Sequence, residues 1–193
     1  NPHVVTINKS GNEIDGYITL KNYPNHNPKI IFNGQGGIKL GPNANYIIVE
    51  GFEVEGPSQS ITYNQAIMNR RNRITLKESI NQNNNNYSYF SGKGIWGGYD
   101  DHHHIIIKNN IVHDTPGSGI RFNDSDHVTI ENNTVYNTTW WTSSASSAIV
   151  FAETISTSEE DNTDEIKMII RGNTVYNNWN RIPFYMSSFP DNA

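Results

Sequence analysis

The stretch His127-Val-Thr-Ile-Glu-Asn-Asn-Thr-Val-Tyr-Asn137 decides the fold, because it recurs along the chain. Close copies are His104-Ile-Ile-Ile-Lys-Asn-Asn-Ile-Val-His-Asp114 and Lys167-Met-Ile-Ile-Arg-Gly-Asn-Thr-Val-Tyr-Asn177, and a more distant copy is Tyr46-Ile-Ile-Val-Glu-Gly-Phe-Glu-Val-Glu-Gly56. Each copy holds two short apolar segments, separated by a bend of Asn or Gly residues. Segments this short, rich in β-branched residues, indicate strands.

The spacing of the copies sets the architecture. Asn110 and Asn133 are 23 residues apart, whereas Asn133 and Asn173 are 40 apart, which is one period plus an insertion. One period holds three predicted strands, and such a period has no room for a crossover helix. These strands are Gly119–Phe122, Val128–Glu131 and Thr134–Tyr136. The sequence therefore predicts an all-β fold, a single-stranded right-handed parallel β-helix with three short strands per coil and about 23 residues per coil.

First strands of the coils are predicted upstream of each copy. Weaker copies are predicted at Tyr17 to Tyr23 and at Arg73 to Gln82, and Val4 to Ile7 also has strand character. An inward Ile in each first strand leaves the residues on both sides of it facing outward by simple alternation. The predicted first strands are Gly37–Leu40, Ala66–Asn69, Gly94–Gly97, Gly119–Phe122, Ala148–Phe151 and Arg181–Phe184, and the outward row after the Ile is Lys39, Met68, Trp96, Arg121, Val150 and Pro183.

The composition agrees with this fold. The 193 residues include 29 Asn and 25 Ile but only 3 Leu and 6 Ala, which favours strand over helix. Asn110, Asn133 and Asn173 would fall at the same bend in successive coils and hydrogen-bond to each other as an Asn ladder. The absence of cysteine excludes disulfides and cysteine-ligated zinc.

Charge and hydropathy narrow the function classes. The net charge of −5 argues against nucleic acid as the main partner, and no apolar run is long enough for a membrane span. No signal peptide is visible, and the oligomeric state is not readable. Residues 1–193 are predicted to form a single β-helix domain. No end cap is readable, so a fragment of a longer β-helix protein is one interpretation.

From about Gly37 to Tyr185, the repeat resembles the pectate-lyase-like superfamily of right-handed parallel β-helices. That superfamily includes pectate, alginate and chondroitin lyases, polygalacturonases, tailspikes and adhesins. The resemblance implies a protein secreted to the extracellular space or cell surface, with an acidic polysaccharide as its partner. It also implies that the substrate lies along the first strands, beside the loops that follow the third strands. The leading hypothesis is a lyase that cleaves an acidic glycan by β-elimination.

Such a lyase needs a base, an acid and a positive group that neutralises the uronate carboxylate. We predict Arg121 and Lys93 as catalytic residues in a substrate groove along the first strands. His113 and Asp114 are predicted as an acid or base beside Arg121. Alternatives are an ion pair of Arg121 with a nearby Asp, a solvated Lys93 and simple stacking of His113 on Tyr136. The predicted substrate-binding residues are Trp96, Trp140, Trp141, Arg181, Tyr185 and Asn123.

A calcium ion is a further prediction, with Asp101, Asp124 and Asp126 as its ligands on neighbouring coils. A polar turn ladder is the alternative interpretation of these aspartates. Two other functions stay open: a glycoside hydrolase using Glu153 and Asp124, and a non-catalytic glycan-binding or surface structural module. For Trp140 and Trp141, the alternative to sugar stacking is that they cover an end of the apolar core.

Overall fold

The computed structural model describes residues 3–75, 89–142, 146–155 and 165–181. Over these residues the chain winds through five coils, and each coil contributes one strand to each of three parallel sheets. The first sheet is ordered β1 (His3–Ile7), β4 (Gly36–Leu40), β7 (Lys93–Gly97), β10 (Ile120–Phe122) and β13 (Ile149–Phe151). This confirms the predicted parallel β-helix with three strands per coil.

The other two sheets follow the same coil order. The second sheet contains β2 (Ile18–Lys21), β5 (Ile47–Glu50), β8 (His102–Lys108), β11 (Ser125–Glu131) and β14 (Met168–Arg171). The third contains β3 (Lys29–Ile31), β6 (Glu53–Glu55), β9 (Ile111–His113), β12 (Thr134–Tyr136) and β15 (Thr174–Tyr176). Val135 pairs with Val112 on one side and Val175 on the other, so the 23- and 40-residue steps both span one coil.

The core is a set of stacked rows, because each inward residue lies on its copy in the next coil. Ile38, Ile95 and Ile120 are fully buried, and so are the corresponding residues of the other sheets. Burial of each such side chain stabilises the fold by roughly 1.5–3 kcal/mol. The remaining fully buried rows are Ile47, Ile105 and Val128; Val49, Ile107 and Ile130; and Val54, Val112 and Val135.

The predicted Asn ladder lies at the bend between the second and third strands. Asn133 Nδ2 donates to Ile107 O at 2.9 Å and to Asn173 Oδ1 at 3.0 Å. Its Oδ1 accepts from the backbone N–H and the Nδ2 of Asn110, at 3.0 and 3.1 Å. Buried backbone groups at a sharp bend need such partners. The ladder therefore explains part of the Asn excess by structure rather than by chemistry.

One predicted first strand is wrong. Ala66–Asn69 lies in helix α1 (Tyr63–Thr75), so Met68 does not belong to the outward row, and the predicted copy from Arg73 to Gln82 begins inside the helix. The rest of that copy lies outside the described residues. Thr62 and Gln65 form a capping box, with Thr62 N donating to Gln65 Oε1 at 2.9 Å and Gln65 N to Thr62 Oγ1 at 3.3 Å. The capping residues determine where the helix starts.

The direction of the small residues before each inward Ile is a second correction. A Cβ on Gly37, Gly94 or Gly119 would lie 2.2–2.5 Å from a Cγ1 of a third-sheet valine, so these positions face the core and not the groove. His3, Gly36 and Lys93 are in register one residue earlier, and His3 and Lys93 lie against the outward ring of Trp96. Simple alternation fails here because the chain enters the first strand from a turn.

We expect Gly94→Ala to destabilise the protein by about 1–3 kcal/mol, the usual cost of overpacking. Its added Cβ would lie 2.2 Å from Val112 Cγ1 and 2.6 Å from the Gly119 carbonyl oxygen. Gly98→Ala is the matched control, since its nearest contact would be 3.2 Å away on the Trp96 side chain. Urea unfolding of both variants measures the difference, and equal midpoints would contradict the assignment of Gly94 to the core.

Candidate functional site

The outer face of the first sheet carries a row of side chains in continuous register. Thr6 pairs with Lys39, Lys39 with Trp96, Trp96 with Arg121 and Arg121 with Val150. The row confirms the outward prediction for Lys39, Trp96, Arg121 and Val150, with Thr6 in the place expected for the first coil. Neighbouring coils are about 4.8 Å apart, so an extended ligand on this face would contact several coils. We call this surface the first-sheet groove.

Two ammonium groups lie against one indole in this groove. Lys93 Nζ is 4.8 Å and Lys39 Nζ is 5.0 Å from the centroid of the Trp96 ring, both within cation–π range. The imidazole of His3 lies 5.4 Å from the same ring. Trp96 thus positions cations, and this contact competes with its predicted role as a platform for sugar stacking. Its Nε1 is buried and has no hydrogen-bond partner in the described structure.

The side chain of Arg121 is held by a residue just beyond the end of its own strand, β10. Its Nε donates to Asn123 Oδ1 at 2.7 Å, and Asn123 is 4% exposed. Asn123 N is itself bonded to the Gly97 carbonyl of the previous coil. No salt bridge among the described residues joins Arg121 to Asp124 or Asp126, which was the alternative interpretation. Asn123, predicted to bind substrate, positions the guanidinium of Arg121 in this structure, and its contact with substrate stays a prediction.

The surroundings of Lys93 lower the pKa of its side-chain amine. Burial lowers the pKa of Lys93 to about 8, helped by the positive charges of Arg121 and Lys39. Burial and the charges of Lys39 and Lys93 likewise lower the pKa of His3 to about 4, so that its ring is neutral at pH 7. An amine with a pKa near 8 can act as a general base at mildly alkaline pH.

The groove cations differ from cations elsewhere in the protein. Among the described residues, Lys39, Lys93 and Arg121 have no carboxylate in a salt bridge, whereas three other cations do. Lys29 is bonded to Glu53 and Glu55, Lys108 lies 3.6 Å from Glu50, and Arg171 lies 2.7 Å from Glu131. In a chain of net charge −5, a positive cluster without a salt bridge to any described carboxylate favours an anionic ligand.

His113 and Asp114, predicted beside Arg121, lie on the third sheet instead. His113 Nδ1 is 2.6 Å from Asp114 Oδ2 and His113 Nε2 is 3.1 Å from Glu53 Oε1. The His113 ring stacks on Tyr136 at 4.8 Å, as the alternative interpretation held. These two residues therefore contact both neighbouring coils, with Asp114 Oδ1 also accepting from Asn137 Nδ2 at 3.2 Å, and no described contact joins them to the first-sheet groove.

Glu53, Glu55 and His113 are the one set of three metal-ligating side chains in the described residues with ligand atoms within 4.8 Å of one another. The Lys29 ammonium is bonded to both carboxylates. These hydrogen bonds raise the pKa of Lys29 and lower that of Glu53. Lys29 thus already neutralises the cluster, which acts as an ion-pair clamp between coils.

The His113 clamp predicts a pH dependence of stability. Burial opposes the charge on His113, but hydrogen bonds to Asp114 and Glu53 outweigh it and raise the pKa of His113. The contribution of a group whose pKa is raised by folding is complete below pH 6.5 and is lost as pH rises through the higher folded value. His113→Tyr keeps the stack found at Tyr136 but removes this titration. We expect the stability of the parent relative to His113→Tyr to fall above pH 6.5, as measured by urea unfolding; a constant difference from pH 6 to 9 would contradict the clamp.

Trp140 and Trp141 are buried, at 6% and 5% exposure, and do not present open faces for sugar. They form a second apolar cluster with residues of α1, and Trp141 Nε1 donates to Ser58 O at 2.9 Å. Arg181 lies 3.5 Å from the Trp140 ring centroid and shields it. The predicted stacking role is therefore replaced by packing. Tyr185 lies outside the described residues.

This second cluster joins two insertions of the coil. Helix α1 follows the third strand β6, and the Trp140 loop follows the third strand β12. The Trp140 loop lies where a long loop was predicted, whereas α1 replaces a predicted first strand. The two insertions pack against one another through Trp140, Trp141, Ala66 and Ile67.

The aspartates predicted to bind calcium do not converge as a metal site. The register that aligns His103 with Asp126 confirms the predicted alignment of the two turns. Asp101 and Asp124 both have left-handed backbones, with φ of 51° and 43°, as expected of equivalent turn positions. Asp101, Asp124 and Asp126 nevertheless do not form a set of three with ligand oxygens within 4.8 Å of one another. A polar turn ladder describes them, and calcium stays a prediction.

The three consecutive histidines His102, His103 and His104 divide between the core and the surface of the protein. His102 is fully buried, and burial lowers its pKa. His104 has a left-handed backbone, with φ of 55°, and stacks between Tyr46 and His127 at 4.4 and 4.6 Å. The stack continues a row of equivalent positions in three coils. It is a structural ladder of aromatic rings.

Sequence reasoning placed Lys39 in the outward row but did not select it as a functional residue, and it missed His3. The signal for Lys39 was its alignment with Trp96 and Arg121 in that row. His3 offered no such signal, because β1 lies before the first clear copy of the repeat.

The chain matches no protein-family model, and comparisons with curated proteins and with solved structures find no significant match. In the described part of the chain, no helix combines the length and apolar character that crossing a membrane requires. The function therefore has to be inferred from the groove itself.

Proposed function

We propose that this protein is an extracellular member of the pectate-lyase-like superfamily that cleaves an acidic polysaccharide by β-elimination in the first-sheet groove. The observation that carries this proposal is the cluster of Lys39, Lys93 and Arg121 around Trp96, without a carboxylate partner in the described structure. Such a cluster attracts a polyanion and is suited to neutralising a uronate carboxylate.

The residues of the cluster divide the chemistry among them. Arg121, fixed by Asn123, offers planar N–H donors to the carboxylate, and Lys39 adds a second charge two coils away from it. Lys93, as the neutral amine, removes the proton alpha to the carboxylate. The glycosidic C–O bond then breaks, a carbon–carbon double bond forms, and the leaving oxygen takes up a proton from water. No metal ion is needed for these steps.

Incubation with pectate, alginate and glycosaminoglycans tests the proposal. We expect unsaturated uronide, detected by its ultraviolet absorbance, from at least one of them, and its loss in Arg121→Ala. Reducing sugar without unsaturated product would identify a hydrolase instead. Glycan binding without turnover would identify a non-catalytic module, and equal binding to single-stranded DNA would show unspecific attraction of polyanions.

The pKa of Lys93 predicts the pH dependence of the reaction. Because the base must be neutral, kcat/KM should rise with pH and level off above about pH 8, the pKa of Lys93 in the free protein. Steady-state rates between pH 6 and 10 measure this profile. A rate that falls over that range, with the protein still folded, would contradict Lys93 as the base.

A further inference from the structure

We propose that Lys93 is a site of reversible carbamylation, at which its amine adds to dissolved carbon dioxide and the resulting carbamate lies between Lys39 and Arg121. This inference goes beyond the proposed glycan activity. It concerns the chemistry of one amine and the charges around it, and it holds whether or not the groove cleaves a glycan.

The position of Lys93 in the sheet is the first support. It lies at the start of β7, with Lys39 of β4 on one neighbouring strand and Arg121 of β10 on the other. Its Nζ is 4.8 Å from the centroid of the Trp96 ring. His3 of β1, whose ring is neutral at pH 7, lies 5.4 Å from the same Trp96 ring. No carboxylate forms a salt bridge with Lys93 in the described ranges.

The positive charges of Lys39 and Arg121 favour both the loss of the ammonium proton of Lys93 and the formation of an anionic carbamate. Positive neighbours disfavour an ammonium at this position and favour an anion there. At pH 8 about half of Lys93 carries a neutral amine, against roughly 0.3% for a lysine with the ordinary pKa of 10.5. Burial, the largest cause of the lowered pKa, increases the neutral amine but opposes the anionic product, whereas Lys39 and Arg121 favour both the neutral amine and the carbamate.

The reaction balances without a further reactant. The amine lone pair forms an N–C bond with carbon dioxide, one C=O electron pair moves to oxygen, and the nitrogen releases a proton to water. The product is Lys93–NH–COO⁻.

Carbamylation would change the function of the groove. The side chain would go from a charge of +1 to −1, and its nitrogen would no longer act as a base. If the proposed glycan function holds, carbon dioxide is then a reversible inhibitor of polyanion binding and cleavage. This consequence rests on the proposed function, whereas formation of the adduct does not.

The test uses the full chain with ¹³C-labelled bicarbonate at pH 8. Carbamate is detected by ¹³C NMR, trapped with triethyloxonium ion and located by peptide mass spectrometry. We expect trapped adduct at Lys93 to exceed that at other lysines by roughly 100-fold, from the difference in neutral amine.

Variants make the outcome decisive. Lys93→Arg should abolish the signal, and Arg121→Gln or Lys39→Gln should lower trapping at Lys93 about two- to fivefold. Lys108→Gln, on the second sheet and paired with Glu50, is the control that should leave it unchanged. No adduct at Lys93, equal labelling of all lysines, or trapping unaffected by Arg121→Gln would overturn the proposal. Labelled protein that lacks glycan activity would retain it and reject only the proposed function.

Discussion

Replacement of Lys93 by Arg is expected to lower lyase turnover by about 10²–10⁴-fold, the usual contribution of a general base, while glycan binding is largely kept. Arg preserves the positive charge and the long stem but does not lose its proton at any working pH. The side chain lies against Trp96 at the start of β7, where a guanidinium can still stack on the indole. Rates of unsaturated uronide formation and binding isotherms, measured together, separate the two effects.

Lys93→Met is the companion variant, because it removes both the base and the charge. We expect it to lose turnover to the same extent and to bind polyanions more weakly than Lys93→Arg. Lys21→Met, on the exposed end of the second-sheet strand β2, is the matched surface control. If Lys93→Arg retains the turnover of the parent, Lys93 is not the base, and the groove acts through another group.

Replacement of Asn133 by Ala is expected to have the largest effect on stability, a loss of about 3 kcal/mol. Asn133 is 1% exposed, and its amide bonds to Ile107 O, to Asn173 and twice to Asn110. Removing it leaves buried polar groups in two neighbouring coils without partners, and each such group costs about 1–3 kcal/mol. Urea unfolding measures the loss.

Asn64→Ala is the control for Asn133→Ala, since Asn64 is exposed on α1. A surface change of this kind usually alters stability by less than about 0.5 kcal/mol. A loss in Asn133→Ala no larger than that of Asn64→Ala would show that the ladder does not hold the coils together. The two substitutions remove the same amide at a buried and an exposed position, and the helical site of Asn64 itself favours Ala by up to about 0.7 kcal/mol.

The coil was predictable because its signal repeats. The alternation of Ile and Val around Asn110, Asn133 and Asn173 fixed the second and third strands of three coils within a few residues. β11 begins at Ser125, earlier than the predicted Val128, because its pairing with β8 extends across the turn residues. Each coil is independent evidence for the same register, so a single irregular residue does not change the prediction.

The helix was missed although its signal was local and present. Ala66–Asn69 was aligned with Gly119–Phe122 because both contain a small residue followed by Ile. The capping pair Thr62 and Gln65 stands just before it and favours a helix start. When a sequence is aligned to a repeat, a weak match to the repeat is easily preferred to a short local signal such as a helix-capping pair.

The candidate site was predictable only in part, because it is assembled between coils. Alternation brought Trp96 and Arg121 to one face, but the cation–π contacts of Lys39 and Lys93 depend on side-chain directions that periodicity does not fix. The burial of Trp140 and Trp141 likewise contradicts their predicted stacking on sugar. This burial depends on packing against α1, which is distant in the sequence. The pKa of Lys93 is a sum over neighbours from three strands, which no stretch of sequence contains.

A crystal structure with an acidic oligosaccharide bound tests the central claim most directly. The account predicts density along the first sheet, with one carboxylate of the ligand at Arg121 and a second carboxylate near Lys39. The carbon alpha to the carboxylate at Arg121 should lie within reach of Lys93 Nζ. Density elsewhere, for example on the exposed rings of Tyr176 and Trp179, would contradict it. So would a groove without density in crystals of protein that binds the same oligosaccharide in solution.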